Sequence, residues 1–138
     1  MPGRLHLSAF LLLALVVIAV VGCAGSTPST PSVQIPITSA SEVAGKWAGT
    51  VRRDPSNEDD WVDMTIRDDG TYDIKSFRTV GAALGGGRLT VSGGKLVAET
   101  ERARTTYTLY EREGKRTLNV DGVLKNGVPF SASLTPAK

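Results

Sequence analysis

The chain is poor in the residue types that carry out most acid-base, thiol and metal chemistry. Its 138 residues include one histidine, His6, and one cysteine, Cys23. Histidine is the most common general base and metal ligand, and a cysteine thiolate is a strong nucleophile. A single cysteine also cannot form a disulfide within the chain. We therefore predict a protein with no catalytic residues, no metal site and no cofactor.

The chain also lacks an apolar run long enough to cross a bilayer. The run from Ala9 to Val21 has 13 residues, whereas a membrane-spanning helix needs about 20. Arg4 precedes this run and small residues follow it, which is the tripartite organisation of an export signal. We therefore expect residues 1–22 to direct export and then to be removed.

The residues at the end of this signal resemble the lipobox of bacterial lipoproteins. Val20-Val21-Gly22-Cys23 matches all four lipobox positions. The resemblance implies that Cys23 becomes the first mature residue and carries a diacylglyceryl thioether with acyl chains such as palmitate. Ala24 in place of aspartate implies sorting to the outer membrane of a Gram-negative host. The alternative is an ordinary secretory signal cut near Gly25, which would discard Cys23.

The rest of the chain has a balanced charge and two compositional parts. All 14 acidic residues and 15 of the 16 basic residues follow Cys23. The basic residues are scattered, so no nucleic-acid partner is expected. Ser, Thr and Pro supply 11 of the 18 residues from Ala24 to Ser41, a composition that does not fold alone. We predict a tether at 23–41, ending near a short helical turn, and a domain at 42–138.

Within the domain, apolar and polar residues alternate with the period of β-strands. Turn sequences such as "RDDGTY" at 67–72 separate about eight short runs, and an Asp-Gly turn between alternating runs indicates a hairpin. The expected inward positions are Trp47, Gly49, Val51, Val62, Met64, Ile66, Tyr72, Ile74, Leu89, Val91, Leu96, Ala98, Tyr107, Leu109, Leu118, Val120, Gly122, Leu124, Phe130, Ala132 and Leu134. This pattern predicts an all-β, up-and-down antiparallel meander that closes into a barrel, with an open sheet or sandwich as the alternative.

The first strand of this meander resembles that of the calycins, the group that includes lipocalins and fatty-acid-binding proteins. Gly45 and Trp47 in "AGKWAGTV" match the Gly-x-Trp of that group. The resemblance implies a lipocalin-like barrel, closed at one end by Trp47, that binds a small hydrophobic ligand. The residues predicted to line the ligand site are Val51, Met64, Tyr72, Ile74, Tyr107, Leu109 and Phe130.

Three further features leave alternatives open. The acidic run 54–60 lacks the pattern of a calcium loop and is interpreted as a solvated loop. The glycine-rich stretch 81–88 is interpreted as a bend or rim loop. Trp61, Phe77 and Tyr110 have outward parity, and exposed aromatics can anchor a protein partner. A ligand-binding envelope lipoprotein is therefore preferred, and an interaction module that binds another envelope protein is the rival.

Overall fold

The computed structural model describes residues 30–54, 59–77 and 82–138. The predictions for the export signal, Cys23 and most of the tether therefore lie outside the described residues, as does part of the acidic run 54–60. The described strands are β1 (Val33–Ile35), β2 (Gly45–Arg53), β3 (Asp59–Ile66), β4 (Thr71–Phe77), β5 (Ala82–Arg88), β6 (Thr90–Ser92), β7 (Lys95–Glu99), β8 (Ala103–Arg112), β9 (Lys115–Leu124) and β10 (Pro129–Pro136). One short 3₁₀ helix, Ala40–Val43, precedes β2.

The strands form one antiparallel sheet that curls into a nearly closed barrel. Their order is β5-β4-β3-β2-β10-β9-β8-β7-β6, and β1 pairs with β8. Each strand pairs with the next one in the chain from β2 to β5 and again from β6 to β10, and β2 also pairs with β10, whereas β5 and β6 do not pair. The prediction of an all-β, up-and-down barrel is confirmed.

The prediction of a bend or rim loop at 81–88 is wrong, because this stretch forms strand β5. The strand pairs with β4 at seven positions, from Thr71 opposite Arg88 to Phe77 opposite Ala82. A Cβ added to Gly85 would lie 3.0 Å from a methyl carbon of Ile74. The glycines therefore let β5 approach the large side chains of β4, a common reason for glycine within a strand.

The segment that contains β5 and β6 passes from one edge of the sheet to the other. β5 pairs with β4, whereas β6, one residue later, pairs with β7. The intervening Leu89 is buried, and its N–H donates to the carbonyl of Gly70 at 2.8 Å. Near Leu89 the chain itself connects the two edges of the sheet and closes the barrel. Farther from Leu89, no pairing joins β5 to β7 among the described residues, which leaves a gap between these two strands.

One end of the barrel, here called the closed end, is covered by the segment that precedes β2. Residues 33–44, here called the strap, begin as β1 beside the C-terminal part of β8. The Ile37 N–H then donates to the Gly94 carbonyl at 2.9 Å, and the Ile37 side chain is buried. The strap is therefore packed on the barrel from Val33 onward, within the stretch 33–41 that was assigned to the tether.

The helical turn in the strap, Ala40–Val43, forms where the sequence predicts it. Ser39 occupies the N-cap position without a side-chain cap hydrogen bond. Thr38 instead donates to Glu42 through its backbone N–H, at 3.3 Å, and through its hydroxyl. These bonds lower the pKa of Glu42, because they stabilise its charged form.

The core lies under the strap, around Trp47. This side chain is 3% exposed, and its indole Nε1 donates to the Val43 carbonyl at 2.8 Å. The other buried apolar side chains are Ile37, Val43, Val62, Met64, Ile66, Tyr72, Leu89, Leu96, Ala98, Tyr107, Leu109, Leu118, Val120 and Leu134. The expected inward direction of Val91 is wrong: it lies in the three-residue strand β6, where every residue is exposed.

Gly45 opens β2 with a φ of 135°. Residues with a Cβ rarely adopt this backbone conformation, so glycine is suited to the point where the chain turns from the strap into the barrel. Among the described residues, no helix combines the length and apolar character needed to span a membrane.

Candidate ligand pocket

A pocket of about 510 Å³ occupies the end of the barrel opposite the strap, here called the open end. Its walls are inward-facing residues of β2, β3, β4, β8, β9 and β10, the edge strand β5, and the turn Thr100–Ala103. Small-molecule sites typically measure about 300 to 1,000 Å³. The open end is therefore large enough for a small ligand, whereas the closed end is filled by side chains.

The structure divides the seven predicted lining residues between these two ends. The five that line the pocket are Val51, Tyr72, Ile74, Tyr107 and Phe130. Met64 and Leu109 instead lie in the packed core and are fully buried. Strand parity predicted that all seven face inward, but it carries no information on height along the barrel axis.

Two tyrosines provide hydroxyl groups in the interior of the pocket. The rings of Tyr72 and Tyr107 meet edge to face, with centroids 6.3 Å apart and an interplanar angle of 62°. Burial raises the pKa of both side chains, and most strongly that of Tyr107, which also interacts with the Tyr72 hydroxyl. Both phenols are therefore neutral at physiological pH and can exchange hydrogen bonds with a ligand without a buried charge.

The rim of the pocket carries charged residues that sequence analysis missed. Arg53 continues the inward parity of Trp47 and Val51, and it forms an ion pair with Asp60, which precedes Val62 at the same parity. Asp60 is buried and Arg53 is partly buried. The interpretation of the run 54–60 as a solvated loop is therefore wrong for Asp60, which lies in strand β3. Extending the period-two pattern by one step in each strand would have placed both side chains inside the barrel.

The β5 wall of the pocket is thin because it contains consecutive glycines. Gly85 lies opposite Ile74 and Gly87 lies opposite Tyr72. A Cβ on Gly87 would lie 3.3 Å from the Tyr72 ring and 3.5 Å from the Tyr72 hydroxyl oxygen. The glycines thus leave space beside the tyrosine hydroxyl, next to the gap between β5 and the turn that follows β7.

A phenylalanine ring forms part of the opposite wall. Phe130 pairs with Gly122, and a Cβ added to Gly122 would lie 2.2 Å from the ring of Phe130. The ring therefore lies directly over this glycine. A side chain at position 122 would have to displace this ring.

The predicted partner residues fall on two separate parts of the outer surface. Trp61 and Phe77 are register partners on β3 and β4, 51% and 37% exposed. The Trp61 Nε1 donates to Asp63 at 2.9 Å, and the Lys75 ammonium lies 4.8 Å from the centre of the Phe77 ring. Tyr110 is half-buried on β8, separated from β3 by β2, β10 and β9.

The described residues contain no group of three His, Cys, Asp or Glu side chains placed to hold a metal ion. The charged residues around the pocket mouth, Arg53, Glu101 and Arg102, are accompanied by Ser76 and Thr105. This set can bind polar atoms of a ligand through charge and hydrogen bonds.

Comparisons with known proteins are informative about the fold alone. No protein-family model matches the chain, and no curated protein matches it. A solved structure described as a redesigned β-barrel is similar, with a TM-score of 0.54 and 15% sequence identity. The chain has a β-barrel fold. The similarity covers 72% of this chain and 96% of the redesigned barrel, so it extends over nearly the whole of that barrel.

Proposed function

We propose that this protein is a lipoprotein of the bacterial cell envelope whose barrel binds a small apolar or amphipathic molecule and catalyses no reaction on it. The observation that carries the proposal is the pocket of about 510 Å³ at the open end. Because only Leu89 separates β5 from β6 and β1 lies outside the strand order, the barrel wall has eight strand positions. An eight-stranded barrel is just wide enough either to be filled by side chains or to hold one small ligand. This barrel is filled at one end and hollow at the other.

The chemistry of the pocket favours a ligand with an apolar body and a polar group. Val51, Ile74 and Phe130 supply an apolar wall. The neutral hydroxyls of Tyr72 and Tyr107 can orient a carbonyl or hydroxyl group within it. Apolar pockets with a few placed polar groups are the usual form of a small-molecule site.

Membrane attachment is supported by the four lipobox residues that end in Cys23. Two or more acyl chains hold a protein stably on a bilayer, whereas one holds it only marginally. In this proposal the anchor keeps the barrel at the membrane, which is the outer membrane in a Gram-negative host. Mass spectrometry of the mature N-terminus tests the anchor: the expected result is an acylated Cys23, and an unmodified cysteine would refute it.

Ligand binding is tested by filling the pocket with a side chain. Ala132 lines the pocket on β10, and Ser131, the preceding residue, is exposed on the outer face. Ala132→Phe should weaken binding of the dye 1-anilinonaphthalene-8-sulfonate at least tenfold, because the phenyl ring occupies the dye's space. Ser131→Phe, which adds the same ring outside the barrel, should leave the affinity unchanged.

Circular dichroism and urea titration establish that both variants fold, because partly unfolded barrels also bind this dye. Equal dye affinity in two folded variants would contradict the pocket as the binding site. The absence of dye and fatty-acid binding by the unsubstituted protein would count against a ligand-binding function altogether.

A second candidate function, an interaction module, is favoured by the aromatic pair on the outer surface. Trp61 and Phe77 lie side by side, and Leu84 on the neighbouring strand β5 is 71% exposed. Large exposed apolar groups in one area commonly mark a binding surface for protein. Trp61→Ala should abolish crosslinking to an envelope partner in intact cells while Tyr110→Ala, on another part of the barrel, should not. If both variants keep the crosslinks of the unsubstituted protein, the surface around Trp61 is not the binding site.

A further inference from the structure

The chain enters the barrel at the closed end, far from the mouth of the pocket. β1 runs antiparallel to β8, with Val33 opposite Glu111 and Ile35 opposite Leu109. Glu111 is the penultimate residue of β8, beside the hairpin that leads into β9. The turn at the pocket mouth, Thr100–Ala103, lies at the other end of the same strand. Any anchor that precedes Val33 therefore pulls on the closed end.

We infer that the closed end of the barrel faces the membrane, so that the pocket opens toward the aqueous compartment and exchanges its ligand there. This inference rests on the proposed lipid anchor at Cys23. The partner of the closed end is then the lipid surface itself.

The length of the linker supports this orientation. Nine residues separate Cys23 from Val33, and a flexible chain of that length has a root-mean-square reach of roughly 17 Å. The ten residues of β8 span about 25 Å along the barrel axis, with a rise of about 3.3 Å per residue and the usual strand tilt. The typical reach of the linker is therefore shorter than the barrel, and bringing the mouth to the bilayer would require both an extended linker and an overturned barrel.

The distribution of charge supports the same orientation. The closed end comprises the strap, the turns that join strands at that end, residues 137–138 and the last two residues of each strand there. It contains eight basic and five acidic side chains. The described residues at the open end, counted in the same way, contain five of each. Arg112, Lys115 and Arg116 lie in the hairpin next to the exit of the linker. Anionic lipid surfaces attract basic residues within about one Debye length, so they favour the closed end over the mouth.

The orientation can be measured on the mature, lipidated full-length protein in vesicles of phosphatidylglycerol and phosphatidylcholine. Lys115 and Arg102 are exposed basic residues at the closed and open ends, respectively. Lys115→Cys and Arg102→Cys make the same change of charge and each provide one site for a fluorophore. A lipid with a nitroxide on its head group should quench the label at position 115 at least threefold more than the label at position 102.

Iodide in the aqueous phase provides the reverse measurement. It should quench the label at position 102 equally before and after vesicle binding, and the label at position 115 less after binding. Equal nitroxide quenching at the two positions, or stronger quenching at position 102, would overturn the proposed orientation. Raising the salt from 0.1 to 1 M shortens the Debye length from about 10 Å to about 3 Å, and an unchanged contrast would refute the contribution of charge.

The unsubstituted protein distinguishes failure of the orientation from failure of the anchor. Cys23 is the chain's only cysteine, so a lipidated protein should take up no thiol-reactive label. Labelling of the unsubstituted protein would show that Cys23 carries a free thiol, which would refute the lipid anchor in the proposed function. If the unsubstituted protein takes up no label but the two labelled variants are quenched equally, the anchor stands and the orientation alone is refuted.

Discussion

The hydrogen bond between Trp47 and the strap allows a sharp test of how the closed end is held together. The indole Nε1 of Trp47 donates to the Val43 carbonyl at 2.8 Å, and both side chains are buried. Trp47→Phe removes this donor and part of the ring but keeps an aromatic side chain in the core. The substitution therefore loosens the contact between the first barrel strand and the strap without altering the surface.

The expected loss of stability comes from two terms. A buried carbonyl without a partner costs about 1–3 kcal/mol. The smaller ring leaves a cavity at this packed site, which costs roughly a further 1 kcal/mol. The free energy of unfolding should therefore fall by about 2–4 kcal/mol, which is a large fraction of the 5–15 kcal/mol that is typical of a domain.

Trp61→Phe is the matched control, because Trp61 is half exposed and donates to the solvent-facing Asp63. Its effect should stay within about 0.5 kcal/mol, as for most surface substitutions. Urea titration followed by far-ultraviolet circular dichroism measures both variants without relying on tryptophan fluorescence. The midpoint of Trp47→Phe should fall by about 2 M, given a typical slope for a small domain. Equal midpoints for the two variants would refute the assignment of Trp47 and the strap to the stabilising core.

Three other predictions address the glycines, the buried tyrosine and the strap. Gly49→Ala should destabilise the barrel more than Gly122→Ala. A Cβ at position 49 would lie 2.1 Å from a backbone oxygen of β10, whereas a Cβ at position 122 would meet only a movable ring. Urea midpoints measure the order of the two variants, and the reverse order would contradict this prediction. Since burial raises the pKa of Tyr107, its contribution to stability is complete below the unfolded-state pKa of about 10 and is lost as the pH rises above it. Tyr107→Phe should therefore flatten the fall in urea midpoint between pH 8 and 11, and an unaltered fall would argue against this tyrosine. Ile37→Ala should cost about 2–5 kcal/mol by thermal unfolding, and Val33→Ala, at an exposed site, much less; similar losses would mean that Ile37 is not buried.

Much of the fold could be predicted because strand period and turn chemistry are local properties. The alternation around Trp47, Met64 and Tyr72 predicted inward positions that the structure confirms. Strand β5 was missed because its glycines have poor intrinsic strand preference, and its pairing depends on the neighbouring side chains of β4. Val91 was assigned to the interior because parity does not reveal that β6 is a short edge strand with no buried side.

The candidate site was less predictable, since a pocket depends on where side chains stop filling space. Met64 and Val51 share a parity pattern in paired strands, yet Met64 is in the core and Val51 lines the pocket. The alternation within one strand shows which residues face inward, but it does not show how high each residue lies along the barrel axis. Arg53 and Asp60 were missed because Asp60 falls in the acidic run that was interpreted as a solvated loop, and because charged residues were not expected at inward positions, although their pairing makes such a location acceptable.

The division of the barrel into a filled and a hollow end explains how one small chain can combine stability with a cavity. Large side chains such as Trp47, Leu109 and Leu118 pack under the strap, where they are almost completely buried. Cavities in a packed core cost stability roughly in proportion to their volume, so a hollow end is tolerable only where other packing compensates for it. The mixture of large and small inward residues therefore follows the two ends of one strand set: large side chains at the closed end stabilise the fold, and the open end keeps the cavity that the proposed function requires.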